Sequence, residues 1–132
     1  MPTGTAQLSP AAIDFVTERH LATLTTLRAD GTPHVVAVGF TWDPEAGLAR
    51  IITNDGSVKV RNARRYGYAA VSQVDGVRWL TLEGPATVLD DPHSVAEAER
   101  RYAGRYRVPR ENPTRVVIAI RVERVMSSRT LR

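Results

Sequence analysis

The 132-residue chain contains no cysteine, and its 18 basic side chains include a single lysine, Lys59. Without cysteine it can form neither a disulfide nor a thiolate metal site, which agrees with a reducing compartment. Its histidines, His20, His34 and His93, are far apart and match no zinc-hydrolase spacing. A nucleophile elbow, a Walker loop and a glycine-rich dinucleotide motif are also missing. Either the protein is not an enzyme, or a cofactor supplies the reactivity. In the second case the protein orients the cofactor and provides the electrostatic field around it.

Long apolar runs are absent as well. No stretch approaches the ~18 apolar residues of a membrane span, and Met1 to Gln7 lacks the basic start and apolar run of a signal peptide. We therefore expect a cytoplasmic protein with no membrane partner. Aromatic residues make up only 6% of the chain and are not interleaved with arginine, which argues against a nucleic-acid partner.

The net charge of +4 and the pI of about 10.1 indicate a basic surface. Such a surface attracts anions, including phosphorylated or carboxylated small molecules. Nearly all of the charge comes from arginine, which matches phosphate and carboxylate groups through two parallel hydrogen bonds.

Turn residues divide the chain into short β-prone runs and three helical segments. Asp30-Gly31 and Asp75-Gly76 predict tight hairpins. The pattern predicts about six antiparallel strands in a barrel with helices packed outside, as one domain over residues 1–132. The predicted strands cover residues 21–28, 34–42, 48–53, 66–74, 77–89 (bent at Gly84-Pro85) and 115–125.

Helix starts are predicted at Ser9 and Asp91, each followed by proline, and at Ser57, which can cap a helix over residues 58–65. The first helix is expected to turn Ile13, Phe15 and Val16 to the core. The last is expected to run to about residue 106, with a face at helical spacing made of Val95, Ala98, Tyr102 and Tyr106.

The segment from Thr53 to Asn62 carries the strongest functional signal. A strand ends, a polar turn follows, and a helix begins whose free amides attract anions. Ser57 adds a hydroxyl group, and Lys59 and Arg61 add positive charge. The segment predicts a phosphate clamp, and the alternative is an ordinary capped helix start on the surface.

The pattern Thr53-x-x-x-Ser57-x-Lys59-x-x-Asn62 after a strand resembles the pyridoxamine-phosphate-oxidase-like split barrels, and specifically the branch that binds the deazaflavin coenzyme F420. The segments Arg19–Asp30 and Val71–Leu80 are most similar to the F420-dependent biliverdin reductases of that branch. The resemblance covers about residues 10 to 126. It implies a mainly β split barrel of the FMN-binding type, assembled as a homodimer with two cofactor sites at the subunit interface.

The resemblance also implies which residues bind the cofactor. The strand from His34 would line the deazaflavin ring, the clamp would hold the phosphate and ribityl chain with Lys59 nearest the phosphate, and two residues would come from the second subunit. The implied set is His34, Val35, Val36, Ala37, Val38, Thr53, Ser57, Val58, Lys59, Arg61 and Asn62, with Arg78 and Trp79 from the partner. An aromatic residue on a barrel strand is also commonly core or interface packing, which is the alternative for Trp79.

The activity implied by the resemblance is hydride transfer from reduced F420 to the central methine carbon of biliverdin, which gives bilirubin. The sequence identifies no proton donor and no catalytic residue. Arginines would bind the two propionates of this tetrapyrrole or guide the oligoglutamate tail of F420. They are Arg78, Arg105, Arg107 and Arg110 for the propionates, and Arg61, Arg64 and Arg65 for the tail.

Three alternatives stay open. FMN would use the same phosphate clamp as F420. The substrate could be another conjugated molecule, such as a quinone or an enone. A protein that binds the cofactor without catalysis is the third possibility.

Overall fold

A computed structural model describes residues 6–132. Residues 1–5, within the segment where we expect no signal peptide, lie outside the described range. Residues 6–132 form three helices, eight strands and a final 3-10 turn (Arg129–Leu131). The helices are α1 (Pro10–Thr17), α2 (Val58–Tyr66) and α3 (Pro92–Arg105). The strands are β1 (Ala22–Leu27), β2 (Pro33–Val38), β3 (Thr41–Asp43), β4 (Leu48–Asn54), β5 (Tyr68–Asp75), β6 (Arg78–Leu89), β7 (Arg115–Arg121) and β8 (Arg124–Ser127). None of the helices in the described range is long and apolar enough to cross a membrane.

All eight strands belong to one antiparallel sheet. Their order is β2-β1-β5-β6-β7-β4-β3, and β8 pairs with β6 beside this path. Within residues 6–132 no strand pairing joins β2 to β3, so the sheet is not closed. The predicted class, a mainly β split barrel with flanking helices, is confirmed with eight strands instead of about six.

Two of the predicted strands are wrong because each divides into two. The run from His34 to Trp42 breaks at Gly39 and Phe40, where the chain leaves its pairing with β1 and begins to pair with β4. Phe40 is 1% exposed at this corner, and its amide donates to the Tyr106 hydroxyl at 3.3 Å. The run from Arg115 to Val125 breaks after Arg121. There the Val122 amide donates to the carbonyl of Gly47 in the turn before β4, the Glu123 amide donates to the carbonyl of Glu83 in β6, and β8 turns onto β6.

The predicted bend at Gly84-Pro85 is present and has a packing cause. Up to Pro85, β6 pairs with β5, and from Ala86 it pairs with β7, so one long strand serves both halves of the sheet. A Cβ atom on Gly84 would lie 2.0 Å from the carbonyl oxygen of Arg121. Only glycine allows the two backbones to approach this closely.

The helix starts at Ser9 and Asp91 are confirmed. The Ser9 hydroxyl accepts from the amide of Ala12, and the Asp91 carboxylate accepts from the amide of Ser94. Phe15 and Val16 are buried as predicted. Ile13 is 37% exposed, so its predicted core position is wrong.

Candidate functional site

An open cleft of about 630 Å³ lies where β2, β4, α3 and the loop after α3 meet. The loop after α3 contains Pro109 and Pro113, as predicted. Arg107, just before Pro109, and Arg110, between the two prolines, both line the cleft. The lining residues are Ala37, Val38, Gly39, Ile52, Thr53, Asn54, Lys59, Tyr102, Arg107, Val108, Pro109, Arg110, Asn112 and Arg115. The cleft therefore combines apolar walls with a cluster of cations, which suits a flat molecule that carries anionic groups.

The helix α2 contributes Lys59 to this cleft, whereas the predicted clamp residues Ser57, Val58, Arg61 and Asn62 are not among the residues that line it. Ser57 is the N-cap of α2, but the side chain makes no capping hydrogen bond, which differs from the prediction. The Ser57 hydroxyl oxygen is buried and has no hydrogen-bond partner among residues 6–132. A buried hydroxyl group without a partner costs free energy unless a ligand or water satisfies it. Its position at a helix N-terminus makes an anion the fitting partner.

Lys59 follows two residues later and lines the cleft. Within the described range no carboxylate lies within ion-pair distance of its amine. Partial burial lowers the pKa of Lys59 below its ordinary value, because desolvation penalises the charged form. A bound anion would relieve this penalty, so the position fits the phosphate group of a cofactor.

The other predicted clamp residues have partners inside the protein. Val58 is exposed at the first position of α2, and Arg61 donates to the carbonyl of Gly56 in the turn before the helix. Asn62 is buried, donates to the Thr26 hydroxyl at 3.1 Å and accepts from Arg65 at 3.1 Å. These bonds hold the turn and α2 against β1, and so they shape the clamp from behind.

Only the last two residues of β2 reach the cleft. Ala37 and Val38 line the cleft, whereas His34, Val35 and Val36 do not. His34 is paired with the buried Thr26, and its Nδ1 atom is buried without a partner in the described residues. The register therefore brings only the end of β2 to the cleft.

Arg78 and Trp79 lie away from the cleft within one protomer. Arg78 forms ion pairs with Glu18 at 3.0 Å and with Asp75 at 2.5 Å, and its guanidinium stacks 4.7 Å from the Phe15 ring centroid. The hydrogen bonds that Arg78 donates to Glu18 and Asp75 raise its pKa. Trp79 is partly exposed on the opposite face of β6. That Arg78 and Trp79 reach the cofactor from the second subunit stays a prediction.

The arginines predicted to bind the substrate also divide into those that line the cleft and those that do not. Arg107 and Arg110 line the cleft, but Arg105 is turned inward. Its guanidinium donates to the carbonyls of Glu18 and Phe40 and to the side-chain oxygen of Gln73, which is fully buried. Burial lowers the pKa of Arg105, because desolvation penalises the charged form. Arg105 therefore anchors the end of α3 to the corner at Phe40.

Tyr102 was not predicted as a site residue. Helical spacing placed it on the packed face of α3, yet it lines the cleft beside Gly39, whose Cβ position is 3.2 Å from the Tyr102 ring. Asn54 and Asn112, which are hydrogen-bonded to each other and line the cleft, were also missed. The available signal was the loop between Pro109 and Pro113, which contains Arg110 and Asn112.

Comparisons with known proteins identify the family of this chain. The family model for pyridoxamine 5'-phosphate oxidase matches residues 8–128. An F420H(2)-dependent biliverdin reductase of Mycobacterium tuberculosis is 60% identical over 127 residues, which are 96% of this chain and 93% of that protein.

Solved structures with a similar fold include two that are more than 25% identical to this chain. A conserved hypothetical protein of Mycobacterium tuberculosis superposes with a TM-score of 0.78 at 26% identity, covering 95% of this chain and 87% of that one. A structure named an F420 reductase superposes with a TM-score of 0.68 at 28% identity, covering 86% and 94% of the two chains. The chain therefore belongs to the pyridoxamine 5'-phosphate oxidase family.

Proposed function

We propose that the protein is an oxidoreductase that uses reduced F420 to convert biliverdin to bilirubin. The observation that carries this proposal is the pairing of Lys59, a half-buried lysine without a counter-charge, with the unpartnered Ser57 hydroxyl. Lys59 lines the cleft, and Ser57 precedes it by two residues at the start of the same helix. The 60% identical relative bears the name of this activity.

The residues at the cleft fit the parts of F420. Ala37 and Val38 line the cleft where the deazaflavin ring would lie, and Thr53 and Lys59 line it where the ribityl chain and the phosphate would lie. Ser57, at the start of α2, would contribute its hydroxyl group to the phosphate. When bound in reduced form, F420 supplies a hydride from its C5 atom, and the central methine carbon of biliverdin accepts it. A proton must also reach a pyrrole nitrogen, so the product gains two hydrogens in total. The loop arginines Arg107 and Arg110 favour an anionic substrate at the same mouth.

The activity can be tested with purified protein. We expect biliverdin to be reduced with reduced F420 and not with NADPH, because the chain has no dinucleotide motif. Bilirubin formation followed by its absorbance measures the rate, and reduced FMN is a second control, since it shares the phosphate but lacks the tail. Turnover with NADPH alone would refute the cofactor assignment. A quinone and an enone tested under the same conditions determine whether the activity is specific to biliverdin.

We further propose that the protein works as a homodimer through the outer face of its sheet. The pairing register places Val35, Val74, Trp79 and Met126 on the side of the sheet opposite to the core. Their exposed fractions are 56%, 59%, 39% and 43%, and apolar patches of this kind mark interaction surfaces. Ala37 lies on the same face and also lines the cleft, so a second copy packed there would stand next to the cofactor.

Light scattering tests the dimer. We expect the wild type to have twice the 14.5 kDa mass of one chain. Trp79→Asp should shift it toward the monomer, because a carboxylate cannot be buried unpaired at an interface. Val77→Asp is the matched control, since Val77 is 90% exposed in the preceding turn. A wild-type monomer at tens of micromolar, or equal effects of both variants, would contradict this assembly.

A further inference from the structure

A second cleft lies directly beside the first one. It has a volume of about 390 Å³ and is lined by Arg19, His20, Leu21, Tyr102, Tyr106 and Arg107. Tyr102 and Arg107 line both clefts, so the two are neighbours that share a wall. A ligand whose ring system lies in the first cleft could therefore extend a side chain into the second.

The second cleft is positively charged, and its arginines have no acidic partner among the lining residues. None of its lining residues is acidic. Most arginines of this chain donate to a carboxylate or a carbonyl, as Arg64 does to Asp55 and Arg115 to Glu99. Arg19 and Arg107 make no hydrogen bond or ion pair to any residue in the described range, and Arg110 at the first cleft is also unpaired. Three unpaired guanidinium groups thus gather at the two clefts.

The segment that carries Arg19 is fixed on both sides. The Arg105 guanidinium donates to the carbonyl of Glu18 at 2.9 Å, and the Tyr106 hydroxyl donates to the carbonyl of His20 at 2.7 Å. Burial raises the pKa of Tyr106, so this phenol stays protonated and keeps donating at neutral pH. The backbone on either side of Arg19 is therefore held against the end of α3, which reduces the entropy that a ligand must overcome there.

An aromatic ring forms part of the wall that the two clefts share. Tyr102 lines both clefts, and its ring packs against that of Tyr106, which lines only the second cleft, with centroids 4.8 Å apart. A conjugated ligand can lie against such a wall while its charged groups reach arginine. Arg19 lines only the second cleft and Lys59 only the first, so Arg19 is separate from the phosphate clamp, whereas Arg107 lies between the two clefts.

We propose that the second cleft is a carboxylate subsite in which Arg19 and Arg107 bind a carboxylate of a ligand seated in the first cleft. This inference rests on the proposed function, because both biliverdin and F420 carry carboxylates. The carboxylate comes either from a propionate of the tetrapyrrole or from the glutamate tail of the cofactor. Arginine suits either source through charge-assisted, two-point hydrogen bonding.

The test is Arg19→Gln, because Arg19 lines only the second cleft and has no partner whose loss could unfold the protein. Arg129→Gln is the matched control, as Arg129 is exposed in the final 3-10 turn. Equilibrium binding of biliverdin to the complex with oxidised F420 is measured by absorbance, so no turnover is needed. For a propionate, we expect Arg19→Gln to weaken biliverdin about 5- to 20-fold while leaving its dimethyl ester unchanged, consistent with the loss of one exposed charged hydrogen bond.

The second arm measures the affinity of F420 with long and short glutamate tails and of a deazaflavin without phosphate and tail. For a tail carboxylate, we expect Arg19→Gln to weaken long-tailed F420 about 5- to 20-fold and the tail-free compound not at all. Equal binding by wild type and Arg19→Gln in both arms, or an equal loss for ester and acid, would overturn the subsite. Because both arms measure binding, failure of the wild type to reduce biliverdin would refute only the proposed activity.

Discussion

Replacing Lys59 by alanine is expected to weaken F420 binding by about 10- to 100-fold, which is the loss of one charge-assisted hydrogen bond in a partly desolvated site. The amine has no counter-charge in the described protein, so its charge is free for the phosphate. Titration by deazaflavin fluorescence measures the affinity. Lys59→Arg should retain a larger part of the binding than the alanine variant, because it keeps the positive charge.

The specificity of this effect can be checked with a deazaflavin that lacks the phosphate and tail. Its affinity should be the same for the wild type and for Lys59→Ala. Unchanged F420 affinity, or an equal loss for the phosphate-free compound, would remove Lys59 from the phosphate clamp.

The loss of binding is not expected to come with a loss of stability. The pKa of Lys59 is lower in the folded protein than in the unfolded chain, so the unfolded chain binds more protons in the pH range between the two values. The free energy of unfolding of the ligand-free protein therefore rises as the pH increases through that range. At neutral pH the buried charge carries its full penalty, and Lys59→Ala should be at least as stable as the wild type.

Gly84→Ala is expected to destabilise the protein by about 3 kcal/mol or more, at the upper end of overpacking effects. The added methyl group would lie 2.0 Å from the Arg121 carbonyl oxygen, and the next nearest atoms are also backbone. No side-chain rotation can relieve this contact, so β6 and the end of β7 must separate where the two halves of the sheet meet. Urea denaturation monitored by tryptophan fluorescence measures the change as a lower midpoint.

Gly104→Ala is the matched control for this substitution. Gly104 lies in α3, and a Cβ atom there would meet nothing within 4 Å. Since alanine favours helix more than glycine does, this variant should be stabilised by about 0.5 kcal/mol. A Gly84→Ala protein as stable as the wild type would mean that β6 and β7 are farther apart than the structure places them.

The sequence was sufficient for features that depend on neighbouring residues. The helix caps at Ser9 and Asp91 and the hairpin at Asp75-Gly76 are local, because each is determined by the residues next to it. The packing of Gly84 against Arg121 and the two divided strands are not local. The break at Gly39 and Phe40 depends on Tyr106, which lies 66 residues later than Phe40 and whose hydroxyl accepts from the Phe40 amide.

In the candidate site, too, the local features could be predicted from the sequence, and the features that depend on distant residues could not. The turn and helix start with Ser57 and Lys59 could be recognised because strand, turn and basic helix follow one another in the chain. Tyr102 could not, since helical spacing identifies a common face but not whether a sheet or an open cleft lies against it. Arg105 and Arg107 are separated only by Tyr106. Yet the Arg105 side chain donates to the buried Gln73, whereas Arg107 lines both clefts.

The most direct test of the account is a crystal structure of the protein with F420 bound. We predict that the phosphate lies within hydrogen-bond distance of the Ser57 hydroxyl and the Lys59 amine, with the deazaflavin ring against Ala37 and Val38. A phosphate bound elsewhere, with Ser57 and Lys59 facing only water, would contradict the assignment of this cleft as the cofactor site.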